Sequence, residues 1–126
     1  MRRILLVNPN RMLPPIAPIG LEYIAANLRE HGFDPALCDL AFAQDWKACL
    51  KSSLDGVSPD AVGVSIRNLD DAYFASQDFI LEKTVEIIRH IRTLTDKPVV
   101  LGGVGFSIAP REILRFSGAD YGIAGD

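Results

Sequence analysis

The sequence lacks most of the features that mark specialised classes of protein. It has only two cysteines, Cys38 and Cys49, which are too few to bind an iron–sulfur cluster, and we expect both to be reduced packing residues. Its longest apolar runs, such as residues 4–7, fall far short of the roughly 18 to 20 residues of a membrane span. Basic residues are not in excess, because 13 Lys and Arg stand against 16 Asp and Glu. The composition therefore predicts neither a nucleic-acid-binding protein nor a membrane protein.

The amino-terminal apolar stretch is too short for a signal peptide. It ends at Asn8-Pro9-Asn10-Arg11 before a signal-peptide core could form, and we therefore expect a cytoplasmic protein. What remains is the composition of one ordinary globular domain, with 126 residues of which 48% are hydrophobic and 23% charged. A chain of this length buries roughly two-thirds of its unfolded surface, so we expect residues 1–126 to form one domain that folds alone.

Apolar residues alternate along the chain between two periods, one typical of buried strands and one typical of helices. Short runs rich in branched residues predict five strands. Stripes of apolar residues spaced by three and four predict four helices between them. The predicted strands cover residues 3–7, 33–39, 60–66, 98–101 and 119–124, and the predicted helices cover residues 20–31, 45–54, 79–94 and 110–116. Residues 67–78 show no period and are predicted to form a long loop.

This alternation predicts an α/β fold, namely a flavodoxin-like (Rossmann-like) doubly wound sheet of five parallel strands. Right-handed crossovers favour the strand order 2-1-3-4-5. In that order the connections change direction between the first and third strands, and ligands of such sheets bind beyond the carboxyl ends of the strands at that point. We therefore expect the functional site among residues 8–20, 65–78 and 102–109.

The loops in these regions lack the usual devices for binding phosphate and nucleotides. The first loop has neither Gly-x-x-x-x-Gly-Lys nor Gly-x-Gly-x-x-Gly, and no Ser or Thr lies between Val7 and Gly20, where a flavodoxin would bind phosphate. A phospho-receiver domain, which has the same architecture, would carry acidic residues where Asn8 and Ser65 stand. The first loop is instead rich in proline, and residues 102–109 are uncharged and rich in glycine, which suits the close approach of a large flat ligand.

Four segments of the chain carry a resemblance to a known family. The most specific is Pro-Pro-Ile-Ala-Pro-Ile-Gly-Leu-Glu-Tyr-Ile-Ala-Ala-Asn-Leu at residues 14–28, followed by His31-Gly32. The others are Pro-Asp-Ala-Val-Gly-Val-Ser at 59–65, Val-Val-Leu-Gly-Gly at 99–103 and Gly-Ala-Asp-Tyr-Gly-Ile-Ala-Gly-Asp at 118–126. Together they resemble the cobalamin-binding domain that precedes the catalytic domain of cobalamin-dependent radical SAM enzymes. The resemblance covers essentially the whole chain and implies that the ligand is cobalamin.

The resemblance also implies where cobalamin makes contact. The nucleotide tail of the cofactor would lie against Ser65 and the Gly102-Gly103 pair, because small residues leave room for it in the crevice of the sheet. Residues 10–13 would face the lower side of the corrin ring. The candidate cofactor-binding residues are Asn10, Arg11, Met12, Leu13, Ser65, Ile66, Arg67, Gly102, Gly103 and Gly105. No catalytic residue and no metal-ligating side chain is expected in this domain.

One departure from related families concerns the cobalt ligand. Cobalamin mutases and methionine synthases carry Asp-x-His-x-x-Gly after the first strand, and its histidine binds cobalt from below. This chain has Asn-Pro-Asn-Arg-Met-Leu at residues 8–13 and no histidine before His31. The resemblance therefore implies base-off cobalamin without a histidine ligand. His31 and His90 are predicted to lie at a helix end and on a solvated helix face.

We expect the chain to be a fragment of a longer enzyme whose radical SAM domain follows Asp126. That second domain would carry S-adenosylmethionine and the 4Fe-4S cluster, because the three-cysteine motif is missing here. The resemblance then implies methyl transfer from methylcobalamin, or a related radical rearrangement, with this domain binding and orienting the cofactor. Two alternatives remain open: a degenerate domain that acts as a scaffold without cofactor, and a stand-alone signalling domain of receiver type.

Overall fold

The computed structural model describes residues 2–9, 19–41, 43–66, 74–103 and 110–123, without the side chains of residues 19, 20, 74–82 and 110. Strands and helices alternate strictly along the chain. The strands are β1 (Arg3–Asn8), β2 (Asp34–Asp39), β3 (Ala61–Ser65), β4 (Val99–Gly102) and β5 (Tyr121–Gly122). The helices are α1 (Ile19–Glu30), α2 (Trp46–Val57), α3 (Phe74–Leu94) and α4 (Pro110–Ser117). Over the residues described, no helix combines the length and apolarity of a membrane span.

All five strands form one parallel sheet in the order β2-β1-β3-β4-β5. Leu6 of β1 lies opposite Leu37 of β2 and Gly63 of β3, and Ser65 of β3 lies opposite Gly102 of β4. Helices connect successive strands because parallel neighbours need a long crossover. The predicted fold class and strand order are confirmed.

One face of the sheet, which we call the core face, carries the main hydrophobic core. Successive side chains of a strand point to opposite faces, and Leu5, Val62 and Leu101 all point to this one, where they are fully buried. Helices α2, α3 and α4 cover them, and Leu50 and Ile88 are likewise fully buried. In the described part of the chain, fifteen buried residues belong to this cluster.

The opposite face, which we call the groove face, is covered only in part by described residues. Helix α1 packs over β1 and β2 and buries Leu21 and Ala25 against Leu6. These three residues are all that the second buried cluster contains within the described ranges. No described helix packs on this side of β3, β4 and β5.

Local features of the sequence explain where several elements begin and end. The carboxylate of Asp45 caps α2 by accepting the backbone N–H of Ala48 at 3.1 Å. Gly32 follows α1 with a φ of 86°, the left-handed conformation expected where a glycine ends a helix. Pro35 lies on β2, which is an edge strand and therefore tolerates the missing N–H.

Three predicted boundaries are wrong. Helix α3 begins at Phe74, five residues before the predicted start, so the predicted loop over 67–78 does not extend that far. Its first residues, Phe-Ala-Ser-Gln-Asp, have no apolar stripe and give no periodic signal. Strand β5 has two residues instead of six. Gly102 belongs to β4, paired with Ser65, and not to a glycine-rich loop.

Candidate functional site

An apolar groove with a volume of about 300 Å³ lies on the groove face, beside α1. Leu21, Ile24 and Leu28 of α1 form one wall, and strands β3 and β4 form the floor. Ile123, just after β5, forms the opposite rim. Among the described residues, Ser65 is the one polar side chain in the lining. The groove therefore suits an apolar ligand that carries few hydrogen-bonding groups.

Small residues form the floor of the groove. Ala61, Gly63 and Ser65 alternate along β3 with residues of the core face, and Gly102 lies beside Ser65 on β4. A Cβ added to Gly63 would stand 3.0 Å from Cδ2 of Leu6, closer than side chains ordinarily pack. Along β3 the floor is thus little more than backbone, and the Val100 side chain of β4 lies beside it.

The two glycines singled out by the sequence have different surroundings. Gly102 lines the groove, and a Cβ added there would meet no atom of the described residues within 4 Å. Gly103 has a φ of 100°, and a Cβ added there would overlap the carbonyl oxygen of Ile66. Gly103 is therefore required by the backbone, whereas Gly102 leaves space that a ligand can occupy.

The apolar stripe of α1 is divided between packing and the groove. Leu21 and Ala25 are buried, as predicted. Ile24 is 46% exposed and Leu28 is half-buried, because no described residue covers the groove that they line. Ile123 on the opposite rim is 63% exposed. Among the described residues, none covers the groove on the side away from the sheet.

Ser65 and Ile66 follow each other at the end of β3 but face opposite sides of the sheet. Ser65 is half-buried and lines the groove. The Ile66 side chain is buried in the core face, so only its backbone lies at the site, where its N–H donates to the Gly102 carbonyl oxygen at 2.8 Å. Of the predicted cofactor-binding residues, the structure brings Ser65, Gly102 and Gly103 together, with Ile66 beside them through its backbone.

Six predicted cofactor-binding residues lie outside the described residues. They are Asn10, Arg11, Met12, Leu13, Arg67 and Gly105. The strands that lead to them, β1, β3 and β4, are neighbours in the sheet, and all three end at its carboxyl edge.

A polar pair at the carboxyl edge is a feature that sequence reasoning missed. Asn8 is 4% exposed, and its Nδ2 donates to Oδ1 of Asp39 at 2.9 Å. The same oxygen accepts the N–H of Ala41 at 3.0 Å, and the N–H of Leu40 donates to the Asn8 carbonyl oxygen at 3.1 Å. In the sequence, Asn8 and Asp39 each stand at the end of a predicted strand. They can be recognised as a pair only once the strand order and register are known.

Neither of the two histidines in the chain lies at the carboxyl end of the groove. Helix α1 runs about 18 Å from the carboxyl edge toward the opposite edge, and His31 follows its last turn. There Nδ1 of His31 donates to the Asn27 carbonyl oxygen at 2.8 Å, at the helix end where His31 was predicted. His90 lies on α3 and is half-buried instead of fully solvated, because its ring packs edge-on against Trp46 with 5.3 Å between ring centroids.

The two cysteines lie away from the groove, in the core face. Both are free thiols, as predicted, with Sγ of Cys38 and Cys49 4.0 Å apart. Burial raises the pKa of the Cys38 thiol to about 11, so this thiol stays protonated at neutral pH. Within the described ranges no group of three acidic, His or Cys side chains is placed to hold a metal ion.

Comparison with known proteins identifies both a family and individual relatives. The B12 binding domain family matches residues 11–126. The chain is 38% identical over 121 residues to tryptophan 2-C-methyltransferase of Streptomyces laurentii, a match that covers 95% of this chain and 20% of that protein. It also matches the structure of the radical S-adenosylmethionine methyltransferase TsrM of Kitasatospora setae with cobalamin and a [4Fe-4S] cluster bound. That match has a TM-score of 0.92 and 44% identity, and it covers 98% of this chain and 22% of the other.

A match at lower identity shows that the fold alone does not determine the function. The receiver domain of the TMAO respiratory system response regulator TorR superposes with a TM-score of 0.61 at 17% identity, covering 98% of this chain and 83% of that chain. A likeness of this kind shows the shared fold alone, because unrelated functions reuse the same architecture.

Fold and groove together define a doubly wound α/β domain with an apolar groove that runs along β3 and β4 and reaches Ser65 and Gly102 at the carboxyl edge of the sheet. The chain belongs to the B12 binding domain family, and cobalamin is the cofactor for which that family is named. The described residues fit this cofactor, because the apolar groove and the space above Gly102 offer a slot for a flat nucleotide base. The chain spans about a fifth of the length of the two methyltransferases that it matches.

Proposed function

We propose that this domain holds cobalamin in the base-off form, with its nucleotide tail in the groove and no histidine bound to cobalt. The observation that carries the proposal is Gly102, which lines an apolar groove at a position where an added Cβ would meet none of the described residues within 4 Å. A glycine that the backbone does not need and that opens into a groove keeps space for a ligand.

The chemistry of the tail matches the lining of the groove. The dimethylbenzimidazole base is flat and largely apolar, and burying it between α1 and the floor removes apolar surface from water. The hydroxyl of Ser65 would hydrogen-bond to a polar atom of the tail, as the one polar lining side chain among the described residues. With its base in the groove and not on cobalt, the cofactor would be base-off.

The positions of the histidines support a cofactor without a histidine ligand. His31 lies at the end of α1 away from the carboxyl edge, and His90 packs against Trp46 on the other side of the sheet. Residues 10–13 would then face the lower side of the corrin, with Arg67 and Gly105 at the border of the site.

We further propose that the chain is the cofactor domain of a longer radical SAM methyltransferase. Relatives about five times its length support this, and their names describe methyl transfer. The remaining part, with a radical SAM domain following this one, would bind S-adenosylmethionine and the 4Fe-4S cluster. Cobalamin supplies the methyl-transfer chemistry when bound, and the residues of this chain bind and orient it in an apolar site that excludes water.

An absorbance titration with hydroxocobalamin and methylcobalamin, followed by desalting, tests cofactor binding. We expect the chain to retain the chromophore with a base-off spectrum. Gly102→Val should reduce the affinity for cobalamin about tenfold or more, because its methyl groups fill the groove. Gly102→Ala is the matched control with a smaller side chain, and it should reduce the affinity less.

Cobinamide, which lacks the nucleotide tail, shows whether the tail occupies the groove. It should bind more weakly than cobalamin, and Gly102→Val should leave its affinity unchanged. Equal loss of both ligands in that variant would contradict placement of the tail in the groove. A chain that retains no cobalamin, tested also as part of the longer protein, would instead support a scaffold without cofactor.

Electron paramagnetic resonance of the bound cob(II)alamin tests the absence of a histidine ligand. We expect no splitting from a nitrogen nucleus below cobalt. Nitrogen splitting that disappears in a His31→Ala variant would overturn this part of the proposal, whereas splitting that persists in His31→Ala and His90→Ala variants would place the base itself on cobalt.

A further inference from the structure

The lining of the groove offers a ligand few hydrogen bonds. Apart from Ser65, the described side chains that line it are apolar, from Ile4 and Leu28 at one end to Ile123 on the rim. No charged side chain belongs to the described part of the lining. A polar group that is buried without a partner costs binding energy, so this lining disfavours ligands that place such a group against it.

The backbone of the floor does not compensate for the missing polar side chains. Strands β3 and β4 each have a neighbour on both sides in the sheet, and parallel pairing uses their N–H and carbonyl groups. The N–H of Val62, for example, donates to the Pro98 carbonyl oxygen at 2.9 Å, and the N–H of Ile66 donates to the Gly102 carbonyl oxygen at 2.8 Å. The described floor therefore presents carbon atoms and paired backbone groups to a ligand.

The polar side chain of the lining lies at one end of the groove. Ser65 is the last residue of β3 and lies opposite Gly102, whereas Ala61, the first residue of β3, lies about 13 Å away at the other end. Gly63 and Val100 lie side by side between these ends. A ligand with its polar part at Ser65 would thus have apolar surroundings along the rest of the described groove. The tail of cobalamin has this form, because it begins with phosphate and ribose and ends in its base.

We infer that the groove selects among cobamides, the cofactors that share the corrin ring and differ in the base of the tail, and that it prefers dimethylbenzimidazole to adenine. The inference rests on the proposed function, which places the tail in the groove. Both bases are flat, but adenine has an amino group and two ring nitrogens where dimethylbenzimidazole has only carbon atoms. Buried against Val100 and the floor, these groups would find no partner among the described residues. Turned outward to water, they would leave the apolar floor poorly covered, and either arrangement weakens binding.

Absorbance titrations with two cobamides test this selectivity. Cobalamin should bind about tenfold or more tightly than the cobamide with adenine as its base. Val100→Thr adds a hydroxyl to the middle of the floor at nearly unchanged size, so it should lower this ratio of affinities several-fold. Val100→Ala is the matched control, because it adds no hydrogen-bonding group and should weaken both cobamides by a similar factor. The two bases also differ in how strongly they bind cobalt in the free cofactors, but this difference cancels when the ratio is compared between variants.

A second variant and cobinamide complete the test. Ala61→Ser adds a hydroxyl at the other end of the floor and should lower the ratio in the same direction, so the result does not depend on one substitution. The inference is overturned if Val100→Thr and Ala61→Ser lower the ratio no more than Val100→Ala does. Cobinamide has no base, and if it binds more weakly than cobalamin while the ratio stays unchanged, the base selectivity alone fails and the proposed function stands. If cobinamide binds as tightly as cobalamin, the tail is not held in the groove and both fail.

Discussion

The two faces of the sheet use the same strands for different purposes. Along β3, Val62 and Val64 point into the core face, while Gly63 and Ser65 point into the groove. Within the described residues, the core face is filled by branched side chains under three helices, and the groove face holds one helix and a floor in which small residues of β3 lie beside Val100. Because successive side chains of a strand alternate between the two faces, one residue of β3 packs in the core and the next lines the groove.

Because of this separation, substitutions on the core face should change stability and leave ligand binding intact, and substitutions on the groove face should do the reverse. A domain whose ligand site lay inside its main core would lose both properties together. Here the groove is built where packing is least complete, with Ile24 and Ile123 still partly exposed. The substitutions below test that separation, beginning with the largest expected loss of stability.

Leu5→Ala should cause the largest loss. Leu5 is fully buried in the core face, and truncating such a residue leaves a cavity that lowers the free energy of unfolding by about 2–5 kcal/mol. Urea denaturation followed by circular dichroism measures this directly. Cobalamin affinity of the folded fraction should not change, and a large change there would mean that the two faces are coupled.

Gly103→Ala should lower the free energy of unfolding by about 1–3 kcal/mol, because alanine is strained at positive φ and its Cβ would overlap the Ile66 carbonyl oxygen. Gly102→Ala, one residue earlier, is the matched control and should change it little. Urea denaturation of both variants checks the difference. Equal losses at the two positions would contradict the separate roles assigned to these glycines.

Cys38 should make the core face sensitive to alkaline pH. Its thiol titrates near 9 in the unfolded chain and at about 11 in the folded one, so stability is complete below pH 9 and falls as pH rises toward 11. The loss is at most about 1.4 kcal/mol per pH unit. Urea midpoints across this range should fall less steeply in Cys38→Ala than in the original chain, and parallel curves would show that the thiol does not contribute.

Ile24→Ala should have the smallest effect on stability, within about 0.5 kcal/mol, because the side chain is already half exposed. It should still weaken cobalamin binding several-fold, since Ile24 forms part of the groove wall. Thermal unfolding and the absorbance titration together check both statements. A large loss of stability without a change in affinity would mean that Ile24 belongs to the core.

The strands and their order could be predicted because they depend on local pattern and on chirality. Branched apolar runs mark β1, β3 and β4, and the right-handed crossover leaves few arrangements for five such strands. The start of α3 at Phe74 was missed because its first residues lack an apolar stripe. The stripe of α1 predicted which side of the helix faces the sheet, but not that Ile24 would remain exposed there.

The site was predictable in its location but not in the role of each residue. The sequence pattern placed Ser65, Gly102 and Gly103 at neighbouring strand ends, which the register confirms. It did not distinguish Gly102 from Gly103, because backbone φ and the space around a missing Cβ are tertiary properties. The link from Asn8 to Asp39 joins residues 31 positions apart, so no local pattern could indicate it.

The apolar lining of the groove has a calorimetric consequence. A ligand that fills it removes apolar surface from water on both sides of the contact, and this lowers the heat capacity of the complex relative to its parts. The enthalpy of binding must then become more favourable as temperature rises, while the entropy becomes less so. The small residues Ala61, Gly63 and Ser65 in the floor therefore influence which ligand shape fits. The apolar lining as a whole influences how much enthalpy and entropy each contribute to binding at a given temperature.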